Sequence, residues 1–398
     1  MSNTSYPKMT VVKQSAKSCW LIPALTSHSY TFGVMHYSTF LRLLLPLVTI
    51  VIVCTGCRHK SVCQNAIDQV ATTTMLVADS LRQRGIHVFG RVDSSDLSAI
   101  ADLNIEWVTL VAWADQDDID SPMVRYGRKD SIHMARQDSS WLSRIGLLRS
   151  AGFKVFVKPH VWISNTEEGK WRSHIFPKSQ ADWQSWSESY RSFILWYAEV
   201  AESAGVEMFC IGTEFSRLAL EKPEFWVSLI ADVRAVYSGE LTYAANWYEE
   251  YEHIRFWHLL DHIGVQAYFP LSQESYPTVQ AVRHGWNSHL SKLEQLSRNV
   301  GKPVLFTELG YKSSSIAAAE PWQWAESLSH TDTIHSSQTQ VGCYQAFFSE
   351  VWPQPWLSGV HLWQWNTGYN RWVHGDPDFF IQGKPAEAMV RTGFSQSH

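Results

Sequence analysis

The sequence has little charge and no excess of one sign that would suit a polyanionic partner. Only 18% of its 398 residues are charged, and the formal net charge is −5. Proteins that bind nucleic acid concentrate Lys and Arg on one face to neutralise phosphates. Neither a basic run nor an acidic tail is present, so we expect no nucleic-acid partner and no disordered charged tail.

Cysteine is also scarce. The six cysteines are Cys19, Cys54, Cys57, Cys63, Cys210 and Cys343, so only two follow residue 63. A disulfide framework is therefore not expected in the main part of the chain. Cys210 lies inside an apolar run, which is typical of a small buried residue. We predict neither a metal site nor a cofactor.

No apolar run reaches the length of about 20 residues that a membrane-spanning helix needs. The longest one, Leu43–Val53, instead suits the core of a signal peptide, and Arg42 supplies its positive flank. It ends in small residues before Cys57 and so resembles the lipobox of bacterial lipoproteins, in which the cysteine is lipidated. Cys54 departs from that pattern, because leucine is usual there.

These signals divide the chain into three parts. We expect an N-terminal extension with a signal and lipobox segment over residues 1–57, a tether over 58–80, and one folded domain over 81–398. A lipid on Cys57 would anchor the domain to a membrane outside the cytoplasm, on the periplasmic or cell-surface side; an uncleaved anchor is the alternative. Met35 would give a signal peptide of ordinary length, so both Met1 and Met35 remain candidate starts. We expect a monomer.

Aromatic residues, by contrast, are abundant: 20 Trp, 15 Tyr and 18 Phe. A pyranose ring presents C–H bonds on its faces, and a flat indole packs against them by dispersion. Sugar-binding proteins therefore use many aromatic side chains. Large barrels bury aromatic residues as well, so composition alone leaves both interpretations open.

Short apolar runs alternate with stretches of helical period along the chain. The predicted strands are Ile86–Gly90, Trp107–Ala112, Lys154–Lys158, Met208–Ile211, Leu241–Ala244, His262–Gln266, Pro303–Thr307 and Val360–Trp363. The predicted helices are Ala66–Arg84, Trp183–Ala204, Pro223–Tyr237, Val279–Asn299 and Ser337–Val351. Eight strands with intervening helices predict an α/β fold, a single (β/α)₈ TIM barrel. An open doubly wound sheet is less favoured, because no glycine-rich loop follows the first strand.

Barrel enzymes work at the carboxyl ends of their strands, and two acids stand there. Glu214 follows the fourth predicted strand, and Glu308 ends the seventh. A carboxylate at the end of an apolar strand is costly to bury without a partner or a task. Glycoside hydrolysis requires such a pair, one to donate a proton and the other to act on the anomeric carbon or on water. Glu249 and Glu250, in contrast, are expected to be solvated loop charges.

The stretches FCIGTEFSRL, DHIGVQAYFPL, KPVLFTELGYKSS and AAEPWQW, with the segment from GVHLWQWNT to QGKPAEAMV, resemble glycoside hydrolase family 113 of clan A. The resemblance covers about residues 85–395. It implies a retaining β-1,4-mannanase with Glu214 as acid/base and Glu308 as nucleophile. It also implies that Tyr268 hydrogen-bonds the nucleophile, and that Trp363 or Trp365 forms the platform under the sugar. Many clan members have Asn where Thr213 stands here, and Asn246 is a candidate to compensate.

Further residues past the strand ends are candidate substrate contacts. The full predicted set is Trp113, His160, Trp162, Thr213, Asn246, Trp247, Tyr268, Trp363 and Trp365. The tryptophans could instead pack between loops, and His160 could be a histidine of the barrel rim. The expected substrate is a β-linked mannan or mannooligosaccharide. The alternatives are another clan A activity, on β-glucan, β-glucoside or β-mannoside, and a surface lipoprotein that binds glycans without catalysis.

Overall fold

The computed structural model describes residues 81–127, 131–165, 170–323, 333–367 and 378–396. The predicted signal segment, Cys57, both candidate starts and the tether lie outside the described residues. Within the described part, no helix is long and apolar enough to cross a membrane.

Eight strands form a closed barrel in chain order, with every neighbouring pair parallel. They are β1 (Gln83–Phe89), β2 (Trp107–Gln116), β3 (Lys154–Ile163), β4 (Met208–Thr213), β5 (Glu240–Asn246), β6 (Ile263–Gln266), β7 (Val304–Leu309) and β8 (Leu357–Asn366). The predicted (β/α)₈ barrel is confirmed.

Helices pack around the strands. They are α1 (Ser94–Ala101), α2 (Ser131–Ser150), α3 (Gln180–Ala204), α4 (Ser216–Glu221), α5 (Pro223–Val236), α6 (Val279–Val300), α7 (Thr333–Glu350) and α8 (Pro385–Ser395). The connection from β5 to β6 carries only a short 3₁₀ helix, Trp257–Leu259. Local sequence explains the ends of α3: Ser179 caps its first turn with Asp182, and Gly205 ends it with a φ of 64°.

Every strand except β6 is longer than predicted, and for β2 and β3 this matters for the site. β2 and β3 pair without interruption as far as Gln116 and Ile163, so Trp113, His160 and Trp162 lie on strands rather than in loops. Because the strands extend this far, the three side chains lie at the carboxyl-terminal mouth of the barrel.

The predicted helix Ala66–Arg84 is wrong at its described end. Gln83 and Arg84 pair with Gly359 and Val360 of β8 and begin the first strand. Long-range pairing overrides helical propensity here, because closing the barrel requires β1 to reach the base of β8.

Apolar side chains fill part of the barrel interior. Six buried residues, from five of the strands, form one apolar cluster: Trp107, Phe156, Met208, Cys210, Ala244 and Leu305. Cys210 is fully buried there, as predicted.

Candidate active site

Glu308 lies near the end of β7 and is almost fully buried. Its Oε2 accepts a hydrogen bond of 2.7 Å from the Tyr268 hydroxyl. Its Oε1 forms an ion pair with Lys158 Nζ and lies 3.6 Å from His160 Nε2. Tyr268 and Lys158 therefore fix the orientation of this carboxylate.

Lys158 is a site residue that the sequence analysis missed. Its side chain is completely buried, and Nζ also donates to Gln266 Oε1 at 2.8 Å. Burial lowers the pKa of Lys158, and the nearby charge of Glu308 opposes that shift. A signal for it exists in the sequence: Lys158 lies two residues before His160 in the middle of a strand that is apolar apart from these two residues and the exposed Lys154 at its start, so the two share the inward face.

Glu214 directly follows β4 and is also largely buried. Its Oε2 accepts hydrogen bonds from Trp171 Nε1 at 3.0 Å and from Arg172 Nε at 3.1 Å. The backbone of Glu214 has a φ of 57°, in the left-handed region that L residues other than glycine seldom adopt. Such a conformation at a site residue persists only where its surroundings hold it.

A continuous chain of side chains joins the two carboxylates. His160 Nε2 faces Glu308, His160 Nδ1 lies 3.1 Å from Arg172 Nη1, and Arg172 Nε bonds Glu214. Both carboxylates also act on Tyr268, whose pKa is raised first by burial, then by Glu308 and, less, by Glu214. The structure thus brings the two predicted glutamates into one charged cluster at the barrel mouth.

Glu250 belongs to this region too, contrary to its predicted place in solvent. It is completely buried. Its carboxylate accepts hydrogen bonds from the Tyr243 hydroxyl, from Ser216 Oγ at 2.8 Å and from Asn246 N at 2.7 Å, and these offset the cost of burial. The expectation of a solvated loop charge was wrong because local sequence does not reveal these three donors. Glu249 is exposed, as expected.

Trp363 forms the floor of the site. It packs with Val111, Tyr268 and Phe379 in one buried cluster, and its ring lies parallel to that of His160, with 6.2 Å between centroids. The peptide bond that follows it is cis.

Trp365 lies on the other side of the strand. Its Nε1 donates to Asp96 Oδ1 of α1 at 3.2 Å, and it belongs to the core between barrel and helices. A register shift between β1 and β8 places an extra residue here, so Trp363 and Trp365 do not share a face as regular alternation would require. Of the two predicted platforms, only Trp363 is in the site.

More tryptophans stand at the rim. Trp113 and Trp162 are 41% and 45% exposed, and their rings meet edge to face at 6.1 Å. Trp162 also contacts Trp171 beside Glu214. On another side, Trp247 stacks on Trp322 with 5.2 Å between centroids. Aromatic surfaces therefore line the mouth on two sides of the carboxylate pair.

The two polar residues predicted to contact substrate differ in their placement. Thr213 is fully buried, and its hydroxyl donates to Pro159 O at 3.0 Å, so its single donor is already used. Asn246 is partly exposed at the end of β5, and its backbone N–H is held by Glu250. Of the two, Asn246 is the better placed to meet a ligand.

Among the described residues, no group of three or more His, Cys, Asp or Glu side chains is arranged to hold a metal ion. The chemistry available to this site is that of carboxylates, with a lysine, an arginine, a histidine and a phenol around them.

Comparison with known proteins gives a consistent result. The model of Glycoside Hydrolase Family 113 matches residues 84–384. A solved GH113 β-1,4-mannanase is 27% identical, with a TM-score of 0.66, over 79% of this chain and 99% of its own. GH113 β-mannanase AaManA from Alicyclobacillus acidocaldarius, in complex with ManMIm, is 28% identical, with a TM-score of 0.65, over 80% and 99%.

A more distant structure shares the fold alone. The β-glucuronidase from Ruminococcus gnavus is 11% identical, with a TM-score of 0.53, over 79% of this chain and 50% of its own. No curated protein sequence matches the chain.

Proposed function

Because this chain belongs to glycoside hydrolase family 113, we propose that it cleaves β-1,4-linked mannan or mannooligosaccharides with retention of anomeric configuration. The observation that carries the proposal is the side-chain cluster that links Glu214 to Glu308 at the ends of β4 and β7. The similar solved structures named as β-mannanases support the choice of sugar.

In the first step, Glu308 attacks the anomeric carbon while the glycosidic C–O bond breaks. Glu214 gives its proton to the departing oxygen. Both hydrogen bonds that the described residues make to Glu214 go to Oε2, from Trp171 and Arg172. This leaves Oε1 as the atom that faces the leaving group.

In the second step, Glu214 takes a proton from water, and the water oxygen attacks the anomeric carbon. The ester bond to Glu308 breaks, and the carboxylate returns to its partners Lys158 and Tyr268. A cation and a phenol donor at the leaving carboxylate stabilise the negative charge that develops on it.

The aromatic side chains supply the sugar-binding surface. Trp363 offers its face beneath the cleavage point, and Trp113, Trp162, Trp247 and Trp322 line the rim. Sugar faces pack on such rings by dispersion.

Product analysis tests the reaction. We expect shorter oligosaccharides from mannan or mannohexaose, and NMR of the first product should show the β-anomer before mutarotation. An initial α-anomer would contradict retention. Products from β-glucan but none from mannan or glucomannan would assign the chain to another clan A activity.

Chemical rescue separates the two carboxylates. With a β-mannoside that carries a dinitrophenyl leaving group, Glu308→Ala plus azide should give the α-mannosyl azide by a single inversion, and Glu214→Ala plus azide the β-azide by two. With an oligosaccharide as substrate, kcat/KM of each variant should fall roughly 10³-fold or more. General acid catalysis alone contributes about 10²–10⁴-fold to the rate. Glu199→Ala, on the exposed face of α3, is the control and should keep full turnover. Full turnover by Glu308→Ala would remove Glu308 from the mechanism.

We also propose that the enzyme acts outside the cytoplasm, held at a membrane by a lipid on Cys57. The apolar stretch Leu43–Val53 and the small residues before Cys57 support this. Incorporation of labelled fatty acid into the wild type but not into Cys57→Ala is the expected result. Equal labelling of both proteins would contradict it.

A further inference from the structure

Glu250 is a buried carboxylate that the proposed mechanism does not use. It lies in the β5–β6 connection with no exposed surface, and none of the described Lys, Arg or His side chains forms an ion pair with it. Burial raises the pKa of Glu250 to about 7, and its hydrogen bonds from Tyr243, Asn246 and Ser216 oppose the shift. Placing an acid in a fully buried position is costly, so its presence there needs a structural reason.

The three donors identify that reason. The Tyr243 hydroxyl donates to Oε1, while Ser216 Oγ and Asn246 N donate to Oε2. Ser216 begins α4 directly behind β4, and Asn246 ends β5. One carboxylate therefore ties together the carboxyl ends of two neighbouring strands.

These contacts reach the segment that carries Glu214. The backbone N–H of Phe215 donates to the Tyr243 hydroxyl at 2.8 Å, and that hydroxyl in turn donates to Glu250. Both residues that follow Glu214 are thus anchored to Glu250, one through Tyr243 and one directly. On the other side, Glu214 N donates to Ala244 O at 2.9 Å.

The anchoring matters because the backbone at Glu214 is in the left-handed region, with a φ of 57°. That conformation costs roughly 1–2 kcal/mol for an L residue. If the segment after Glu214 were released, the backbone could relax toward a more ordinary conformation. The carboxyl group would then turn relative to Glu308.

When ionised, Glu250 suits this position better than an amide would. The Tyr243 hydroxyl already accepts from Phe215, so its own proton needs an acceptor on residue 250. Asn246 N is a second donor that cannot reverse its role. A glutamine has only one acceptor oxygen and would place its NH₂ group against one of these two donors.

We propose that Glu250 is a positioning residue for Glu214, holding the acid/base carboxyl at the leaving-group oxygen through Tyr243 and Ser216. The inference rests on the proposed function and adds to it. Glu250 touches no substrate in this role, and its effect is confined to the steps in which Glu214 moves a proton.

Leaving-group dependence tests the inference. Departure of a sugar alcohol needs a proton from Glu214, whereas departure of dinitrophenolate does not. We expect Glu250→Gln to lower kcat/KM by about 100-fold on mannotetraose, within the range that general acid catalysis contributes. On a dinitrophenyl β-mannoside, kcat/KM should fall less than about fivefold. Equal losses on both substrates would overturn the inference.

A second variant guards against misfolding of the first. Tyr243→Phe removes the link to Phe215 but leaves the carboxylate with two donors. Its kcat/KM should also fall more on mannotetraose than on the dinitrophenyl β-mannoside, but by less than in Glu250→Gln. Glu252→Gln is the matched control, because Glu252 lies on the same connection but is exposed and paired with Lys292 at 3.1 Å. This substitution should leave kcat/KM unchanged on both substrates. A wild type without glycosidase activity would overturn the proposed function, and the role of Glu250 with it. An active wild type with no split in either variant would overturn only the role of Glu250.

Discussion

Arg172 fixes the tautomer of His160. Nη1 of the guanidinium lies 3.1 Å from Nδ1 of the imidazole, and a guanidinium can only donate. Nδ1 must therefore accept, which places the hydrogen of a neutral imidazole on Nε2. That nitrogen lies 3.6 Å from Oε1 of Glu308, which is too far for a hydrogen bond, so the N–H is buried beside the nucleophile without an acceptor of its own among the described residues. Arg172, which pairs with Glu214, thus also determines which nitrogen of His160 carries its hydrogen.

Nitrogen NMR of histidine-labelled protein checks this assignment. Burial, and then the charges of Arg172 and Lys158, lower the pKa of His160 well below its usual value. We therefore expect a neutral Nε2–H tautomer throughout the range from about pH 6 to 8. In Arg172→Met, the constraint on Nδ1 is gone and the tautomer signal should become mixed. An imidazolium signal at pH 7 in the wild type would contradict the argument.

Lys158 and Glu308 should be strongly coupled, because both are buried and each is the principal charge beside the other. Removing one partner of a buried ion pair costs about 3–5 kcal/mol of stability, since the other charge is left unpaired. We expect that loss in Lys158→Met, measured by urea unfolding. Lys158→Met combined with Glu308→Gln should regain most of it. A double variant whose losses simply add would show that the two groups are not coupled.

The barrel and the glutamate pair could be predicted from local sequence, because each rests on a local pattern. Buried parallel strands are continuous apolar runs, and Glu214 and Glu308 stand just where two such runs end. The boundaries were less accurate. β2 and β3 extend through Trp113 and Trp162 because each strand pairs with the other along its whole length, which no single run reveals.

The surroundings of the pair could not be predicted in the same way. Arg172 lies in a 3₁₀ turn after β3, and only the folded connection brings it beside Glu214. Glu250 stands next to the exposed Glu249 in the sequence, and nothing local distinguishes the two. The resemblance left Trp363 and Trp365 as alternative platforms, and a register shift that no local pattern reveals places Trp365 in the core between the barrel and the helices.

Trp363 and Trp365 give a matched pair of substitutions. Trp363→Phe shrinks the floor of the site and should lower kcat/KM about tenfold, consistent with about 0.5–1.5 kcal/mol for aromatic packing. Trp365→Phe loses the hydrogen bond to Asp96 and should cost about 1 kcal/mol of unfolding free energy. Its kcat/KM should stay within about twofold of wild type. The reverse pattern would mean that Trp365, and not Trp363, meets the sugar.

Glu250 should also make stability depend on pH in a direction opposite to that of an ordinary paired carboxylate. Its pKa is raised from 4.5 in the free side chain to about 7 in the fold. Between those two values the folded protein holds a proton that the unfolded chain has released. The folded state is thus favoured at the acid end of this window and loses that advantage as pH rises toward 7. Linkage gives a loss of up to about 3 kcal/mol over the window.

Comparison with Glu250→Gln isolates this effect, since glutamine does not titrate. His87, His160 and His361 are buried with lowered pKa values, but they titrate in both proteins and cancel in the difference. Urea unfolding at pH 5 and pH 8 should show the wild type losing stability relative to Glu250→Gln as the pH rises. A difference that stays constant, or that grows in favour of the wild type, would mean that Glu250 remains ionised in the fold across this range. Its three donors would then outweigh the cost of burial.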